Sequence, residues 1–186
     1  MADFQEILYS RASIRAFTDA ELSDEQLTEL VRAVLAAPWA FHDHARHLCV
    51  IAGHENVQKL ARVFAEVLGR PGYNMYAPAA AILACVERGN DNQKLEVGCM
   101  LENIFLRATD MGIGSCWINQ ARDICDDARV RPVLACIRRA GHARVLGHRH
   151  RRLCGRSAAC AGAQRRYVQH LSLNPFREET ENHDRT

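Results

Sequence analysis

Apolar residues recur along this chain in two rhythms, and the alternation between them predicts its elements. Leu27, Leu30, Val31, Val34 and Leu35 fall at i, i+3, i+4, i+7 and i+8, the spacing of a helix with one buried face. Ser23-Asp24-Glu25-Gln26 precedes them, and a serine followed three residues later by glutamine is a capping box. Pro38 ends that helix. A second stripe, Val57, Leu60, Ala61, Phe64, Val67 and Leu68, stops at Gly69. The longest helical pattern runs over residues 91–111. There Leu95, Cys99, Met100, Leu101, Ile104, Phe105 and Ala108 cover much of the circumference, as expected near the centre of a domain. Gly112 supplies its stop. Shorter helices are predicted over residues 4–9, packing Phe4, Ile7 and Leu8, and over residues 123–130.

Between the helices stand three short apolar runs. One covers residues 47–52 and halts at Gly53; a second, residues 79–86, has an alanine-rich first half that suits helix or strand alike. Ser115-Cys116-Trp117-Ile118 is the third. Three strands alternating with helices predict a mixed α/β arrangement.

A chain of 186 residues makes one domain, burying roughly two-thirds of its unfolded surface. Its net charge of +2 is uninformative, but the distribution is not. Residues 131–170 hold ten arginines and no Asp, Glu or Lys, while acidic residues outnumber basic ones elsewhere. No apolar run approaches a membrane span, and Met1-Ala2-Asp3-Phe4-Gln5-Glu6 lacks a secretory pattern, so a cytoplasmic location is expected. The eight cysteines are scattered without a C-x-x-C pair; in a reducing compartment they read as small buried hydrophobes. Arginine outnumbers lysine 22 to 2, which points to a GC-rich genome more than to a function.

Candidate chemistry begins at Arg11-Ala12-Ser13-Ile14-Arg15-Ala16-Phe17. Two guanidinium groups four positions apart, with a hydroxyl between them, form a compact anion receptor, because the planar forked donors of arginine match phosphate oxygens. Alone, the pattern also suits a solvated surface. Two further blocks change that balance: Ala36-Ala37-Pro38, and Met111-Gly112-Ile113-Gly114-Ser115-Cys116-Trp117-Ile118.

In this order the three blocks resemble the nitroreductase family of flavin enzymes, over roughly residues 4–130. The first is like the family's R-x-S-x-R-x-F opening and the last like its L-G-L-G-S-C-W-I. The resemblance implies an α+β (mixed α/β) nitroreductase-like fold, a central sheet surrounded by helices, working as an intertwined homodimer with FMN at the subunit interface. It implies electron transfer from NAD(P)H to the flavin and on to a nitroaromatic, a quinone or a similar small acceptor. The flavin carries that chemistry, so no catalytic side chain is required. By the same resemblance Arg11, Ser13 and Arg15 hold the FMN phosphate and ribityl chain, and Ala12 contributes backbone. Pro38 and Trp39 face flavin from the partner subunit, and Ile118, Asn119 and Gln120 lie along the ring edge.

There are departures. After its alanine-proline the family has a serine, an asparagine and a glutamine-proline-tryptophan; here stand Trp39, His42, His44, Ala45 and Arg46. Imidazoles of His42 or His44 replace amides and can still donate one hydrogen bond to a flavin carbonyl or ribityl hydroxyl. His42, Asp43, His44 and His47 are also metal-ligand types, but their spacing matches no standard site, and no metal is expected.

From about residue 131 the resemblance stops. The reading is a nitroreductase-like domain over residues 4–147 and an atypical Arg-rich tail over 148–186, foreign in frame or disordered. Three accounts of this part stay open. One is a basic nucleic-acid-binding segment within residues 138–166. Another is a zinc site from His148, His150, Cys154 and Cys160. The third is a shifted reading frame: back-translation from His148, moved by one nucleotide, permits Thr-Ala-Thr-Val-Gly-Tyr-Ala-Ala and, later, His-Lys-Asp-Gly, which are family-like endings. A foreign tail would leave the domain without its last strand and its C-terminal phosphate ligand. The alternative functions are a non-catalytic flavin-binding protein of the same fold and a nucleic-acid-binding protein.

Overall fold

The computed structural model describes residues 3–38, 46–87, 92–133, 143–146 and 153–161. In chain order the elements are α1 (Phe4–Ser10), α2 (Asp24–Leu35), β1 (Arg46–Ala52), α3 (His54–Leu68), β2 (Ala80–Glu87), α4 (Asn92–Asp110), β3 (Ser115–Ile118), α5 (Ala121–Ile124), β4 (Ala143–Leu146) and β5 (Leu153–Ala161). The five strands form one sheet in the order β3-β5-β2-β1-β4, and every neighbouring pair is antiparallel.

Helices cover both faces of this sheet. Leu48 and Val50 of β1, with Ala80, Ile82 and Ala84 of β2, pack against α2 and α4. The alternate residues Cys49, Ile51, Ala81 and Leu83 pack against α3 and α5. Two-sided burial explains why β1 and β2 read as continuous apolar runs with no polar alternation. The alanines of β2 are fully buried on both faces, which resolves their ambiguity as strand.

Local chemistry sets the helix ends. At α2 the Ser23 hydroxyl accepts the Gln26 N–H at 3.2 Å, and the Ser23 N–H donates to Gln26 Oε1 at 2.8 Å, the expected capping box. Arg107 of α4 donates to Glu29 of α2 at 2.8 Å and also pairs with Asp110. Asn103 Nδ2 donates to the Ala33 carbonyl at 3.0 Å, a second link between these helices.

Four expectations are corrected. Among the described residues the sheet has five strands, where the sequence shows three. Residues 143–146 and 153–161 carry no apolar alternation, so only their pairing with β1, β2 and β3 reveals them as strands. The helix expected over 123–130 is instead α5 followed by a separate helical turn at 130–133. Asp127 divides them: its carboxylate accepts the Arg129 N–H at 2.8 Å, and its carbonyl accepts the Val130 N–H at 3.0 Å. The short helix α1 exists, but none of its residues is buried, and Phe4 is 65% exposed. Leu95 is likewise exposed, because it sits nearly opposite the buried stripe Val97, Leu101, Ile104 and Ala108 on α4. Among the cysteines, Cys49, Cys116 and Cys125 are buried, while Cys85 and Cys99 are half-buried. Among the described residues no helix is long and apolar enough to cross a membrane.

The Asp127 carboxyl is lowered from its ordinary 3.8 to about 2, chiefly by the hydrogen bonds from the Arg129 guanidinium and then by the Arg129 backbone N–H. A depressed folded-state value stabilises the fold above the unfolded value and is lost as pH falls through the folded one. The stability gap between the wild type and Asp127→Asn should therefore be open at neutral pH, shrink as pH falls below 3.8 and be lost as it falls through about 2. Urea midpoints measured across that range check it.

Candidate functional site

The Arg11–Arg15 stretch leaves α1 in extended form, with the Arg11 N–H still donating to the Ile7 carbonyl at 3.1 Å. It then docks on the start of β3. The Ile14 N–H donates to the Ser115 carbonyl at 2.9 Å, and Ser13 pairs with Ser115 in an isolated parallel bridge. Two of the three sequence blocks are thus joined by backbone hydrogen bonding.

The two glycines of Met111-Gly112-Ile113-Gly114 serve this junction for different reasons. Gly112 has φ +68 and closes α4: its N–H donates to Thr109 at 3.0 Å, and the Ile113 N–H reaches the Ala108 carbonyl at 2.8 Å. That double closure is the Schellman pattern, which favours glycine in the left-handed position. Gly114 is needed for space. A Cβ placed there would lie 3.1 to 3.3 Å from the Ile14 side chain. The helix-stop reading of Gly112 is seen directly; the close approach at Gly114 carries no sequence signal by itself.

Arg11 and Arg15 lie on the solvent side of this junction. Arg32, Arg107, Arg122, Arg129 and Arg131 each hold a carboxylate. Among the described residues, no carboxylate pairs with Arg11 or Arg15. Arg15 instead reaches the Ser13 carbonyl at a long 3.4 Å and stands over the Tyr76 ring, 5.9 Å from its centroid. Its positive charge also bears on Cys116: burial pushes that thiol up, and Arg15 partly offsets the rise. Two guanidiniums without a counter-ion among the described residues, flanking an exposed serine, are a donor set suited to a phosphate.

Tyr76 was not singled out by the sequence. It sits in a loop where Met75, Tyr76 and Ala77 have φ of 55, 65 and 51. Left-handed backbone costs non-glycine residues roughly 1–2 kcal/mol each, so the surroundings must impose it. They do. The Met75 side chain is fully buried in the core under α3. The Asn74 side chain accepts the Tyr76 N–H at 3.0 Å, while its carbonyl accepts the Ala77 N–H at 2.9 Å and Gln58 Nε2 at 3.2 Å.

The remaining expected residues are placed as follows. Ala12 is exposed within the docked stretch, and Pro38 is exposed just past α2. Ile118 turns its side chain into the core, leaving its main chain as the part a ligand could meet. Asn119 is exposed and accepts the Arg122 N–H on its carbonyl at 3.1 Å. Gln120 stands at the N-terminus of α5, where its Oε1 is 3.5 Å from the Tyr73 hydroxyl. The neighbouring Trp117 is exposed on the other face of β3, with its ring tilted against Phe105 at 6.4 Å. Trp39, His42 and His44 lie outside the described residues, as do Asp43, His148 and His150. His47 belongs to β1, and Cys154 and Cys160 belong to β5.

Comparison with known proteins places this geometry. The model of the nitroreductase family matches residues 8–136. A candidate NADH dehydrogenase/NAD(P)H nitroreductase of Archaeoglobus fulgidus is 28% identical over 123 residues, covering 63% of this chain and 68% of that protein. One of Methanothermobacter thermautotrophicus is 27% identical over 120 residues, covering 62% of this chain and 60% of its own length. A crystal structure of a nitroreductase with bound FMN from Bacteroides fragilis has the same fold. Its TM-score is 0.72 at 19% identity, covering 95% of this chain and 97% of that one.

The junction yields a prediction. In Gly114→Val the added side chain meets Ile14 and pushes the arginine stretch off β3. The Ile14 amide, which donates to Ser115, should then exchange with deuterium faster than in the wild type, while the amides of β1 and β2 keep their protection. An unchanged Ile14 rate would mean that the stretch is held by something other than this approach.

Proposed function

This chain belongs to the nitroreductase family, and from that membership we propose that it is an FMN-dependent oxidoreductase carrying electrons from NAD(P)H to a nitroaromatic, a quinone or a similar small acceptor. The observation that carries the proposal is the Arg11–Arg15 stretch, docked on β3 with neither guanidinium paired to a carboxylate among the described residues. In this reading Arg11 and Arg15 grip the flavin phosphate, the Ser13 hydroxyl adds a hydrogen bond, and Ala12 offers its backbone. The bound flavin supplies the redox chemistry, accepting electrons from NAD(P)H and passing them on. The chain's own part is to bind, orient and shield it.

Asn119, Gln120 and the Ile118 main chain border the ring edge in this proposal. Pro38, Trp39, His42 and His44 are assigned to the flavin held by the partner subunit of a homodimer, with imidazole donors in place of the family's amides. Cytoplasmic residence accords with this chemistry, which draws on NAD(P)H. The names of the archaeal relatives support NAD(P)H as donor, and the FMN in the Bacteroides fragilis structure supports the cofactor.

The purified protein should be yellow, release FMN on denaturation and bleach on anaerobic addition of NADH or NADPH. Bleaching separates an enzyme from a flavin-binding protein without activity. Arg15→Ala should weaken FMN binding about 10- to 100-fold, the worth of a charge-assisted hydrogen bond of roughly 1.5–3 kcal/mol. A folded preparation that stays colourless in excess FMN would refute the proposal.

A further inference from the structure

We propose that Tyr76 is a positioning residue for Arg15: the strained loop at residues 74–77 exists to hold its ring against the guanidinium, so that the anion-binding edge is oriented before the ligand arrives. The inference rests on the flavin reading above and extends it to a residue that neither the sequence blocks nor the family resemblance brings in.

Three observations converge on this ring. Arg15 stands over it at 5.9 Å, within the range of a cation–π contact. A ring interacts with the positive charge without accepting any of the strong N–H hydrogen bonds of the fork. Those donors are left for phosphate. Second, Arg15 has only one other polar contact among the described residues, the long 3.4 Å approach to its neighbour's carbonyl. An arginine side chain so lightly held would lose much of its rotamer freedom on binding an anion; a ring that restrains it beforehand lowers that loss.

Third, the backbone that presents the ring is unfavourable and yet firmly imposed. Met75, Tyr76 and Ala77 are consecutive left-handed residues, none of them glycine or asparagine. The buried Met75 side chain and the three hydrogen bonds accepted by Asn74 hold them there. Persistent strain beside a binding site is commonly kept for what it positions. Here the residue at its centre is the one whose ring lies beneath the Arg15 guanidinium, 5.9 Å from its centroid.

The test removes the ring while easing the backbone. Tyr76→Asn and Tyr76→Gly both tolerate φ +65, so their thermal midpoints should equal or exceed that of the wild type. FMN affinity, read by fluorescence quenching in the full chain, should nevertheless fall about two- to fivefold, the size of an exposed cation–π contact. Tyr76→Phe, which keeps the ring, should bind as the wild type does. In an Arg15→Ala background, Tyr76→Asn should cause no further loss, because the tyrosine acts only through that arginine. Undiminished affinity in both ring-less variants would overturn the inference. So would an equal loss in the Arg15→Ala background, or the same loss in Tyr76→Phe. A wild-type chain that takes up no FMN would instead overturn the flavin reading, and this inference with it.

Discussion

Main-chain pairing with Ser115, through the bridge to Ser13 and the hydrogen bond from the Ile14 amide, makes the arginine stretch part of this fold. Alone such a bond is worth about 1 kcal/mol. It forms because Gly114 has no side chain to hold Ile14 away, and because Gly112 turns the chain sharply out of α4 and into β3. The charge of Arg15 then falls close enough to affect Cys116, and its guanidinium meets Tyr76. Neither contact is coded near Arg15 in the sequence. Both follow from where one strand accepts one amide.

The body of the domain supplies the rigidity this requires. With helices on both faces, β1 and β2 are buried throughout their middle, and the alternate residues of each strand belong to two different cores. Met75 is anchored in the core on the α3 side. That anchor lets a surface loop adopt three unfavourable dihedral pairs in succession and still present a tyrosine at a fixed place. Strain at the surface is maintained by burial beneath it.

Much of this was legible in the amino-acid order. The Ser23 capping box, the buried stripe of α2 and the glycine stop of α4 follow from local rules, and they appear as expected. The two central strands were legible as apolar runs because their burial is two-sided. Local rules failed where a tertiary partner decides the outcome. Nothing in Ala143-Arg144-Val145-Leu146 or in residues 153–161 alternates; these segments are strands because neighbouring strands offer them hydrogen bonds in register. The exposed Phe4 and Leu8 of α1 show the reverse case, apolar residues that this single chain leaves uncovered. At the site, Arg11, Ser13 and Arg15 were visible as a donor set. Tyr76 was not, because a long-range ring contact has no periodicity to betray it.

The sheet order carries a consequence in time. In the strand order of the sheet, β3, on which the arginines rest, is separated from β2 by β5, whose residues 158–161 pair with it. During synthesis, β2, α4 and β3 all leave the ribosome well before that intervening strand exists. Until it arrives, β2 has an open edge and β3 has no neighbouring strand in this sheet. The sheet edge that carries the arginine stretch is therefore completed only once β5 has been made, and a nascent chain paused short of residue 153 would expose an unpaired apolar strand to its neighbours.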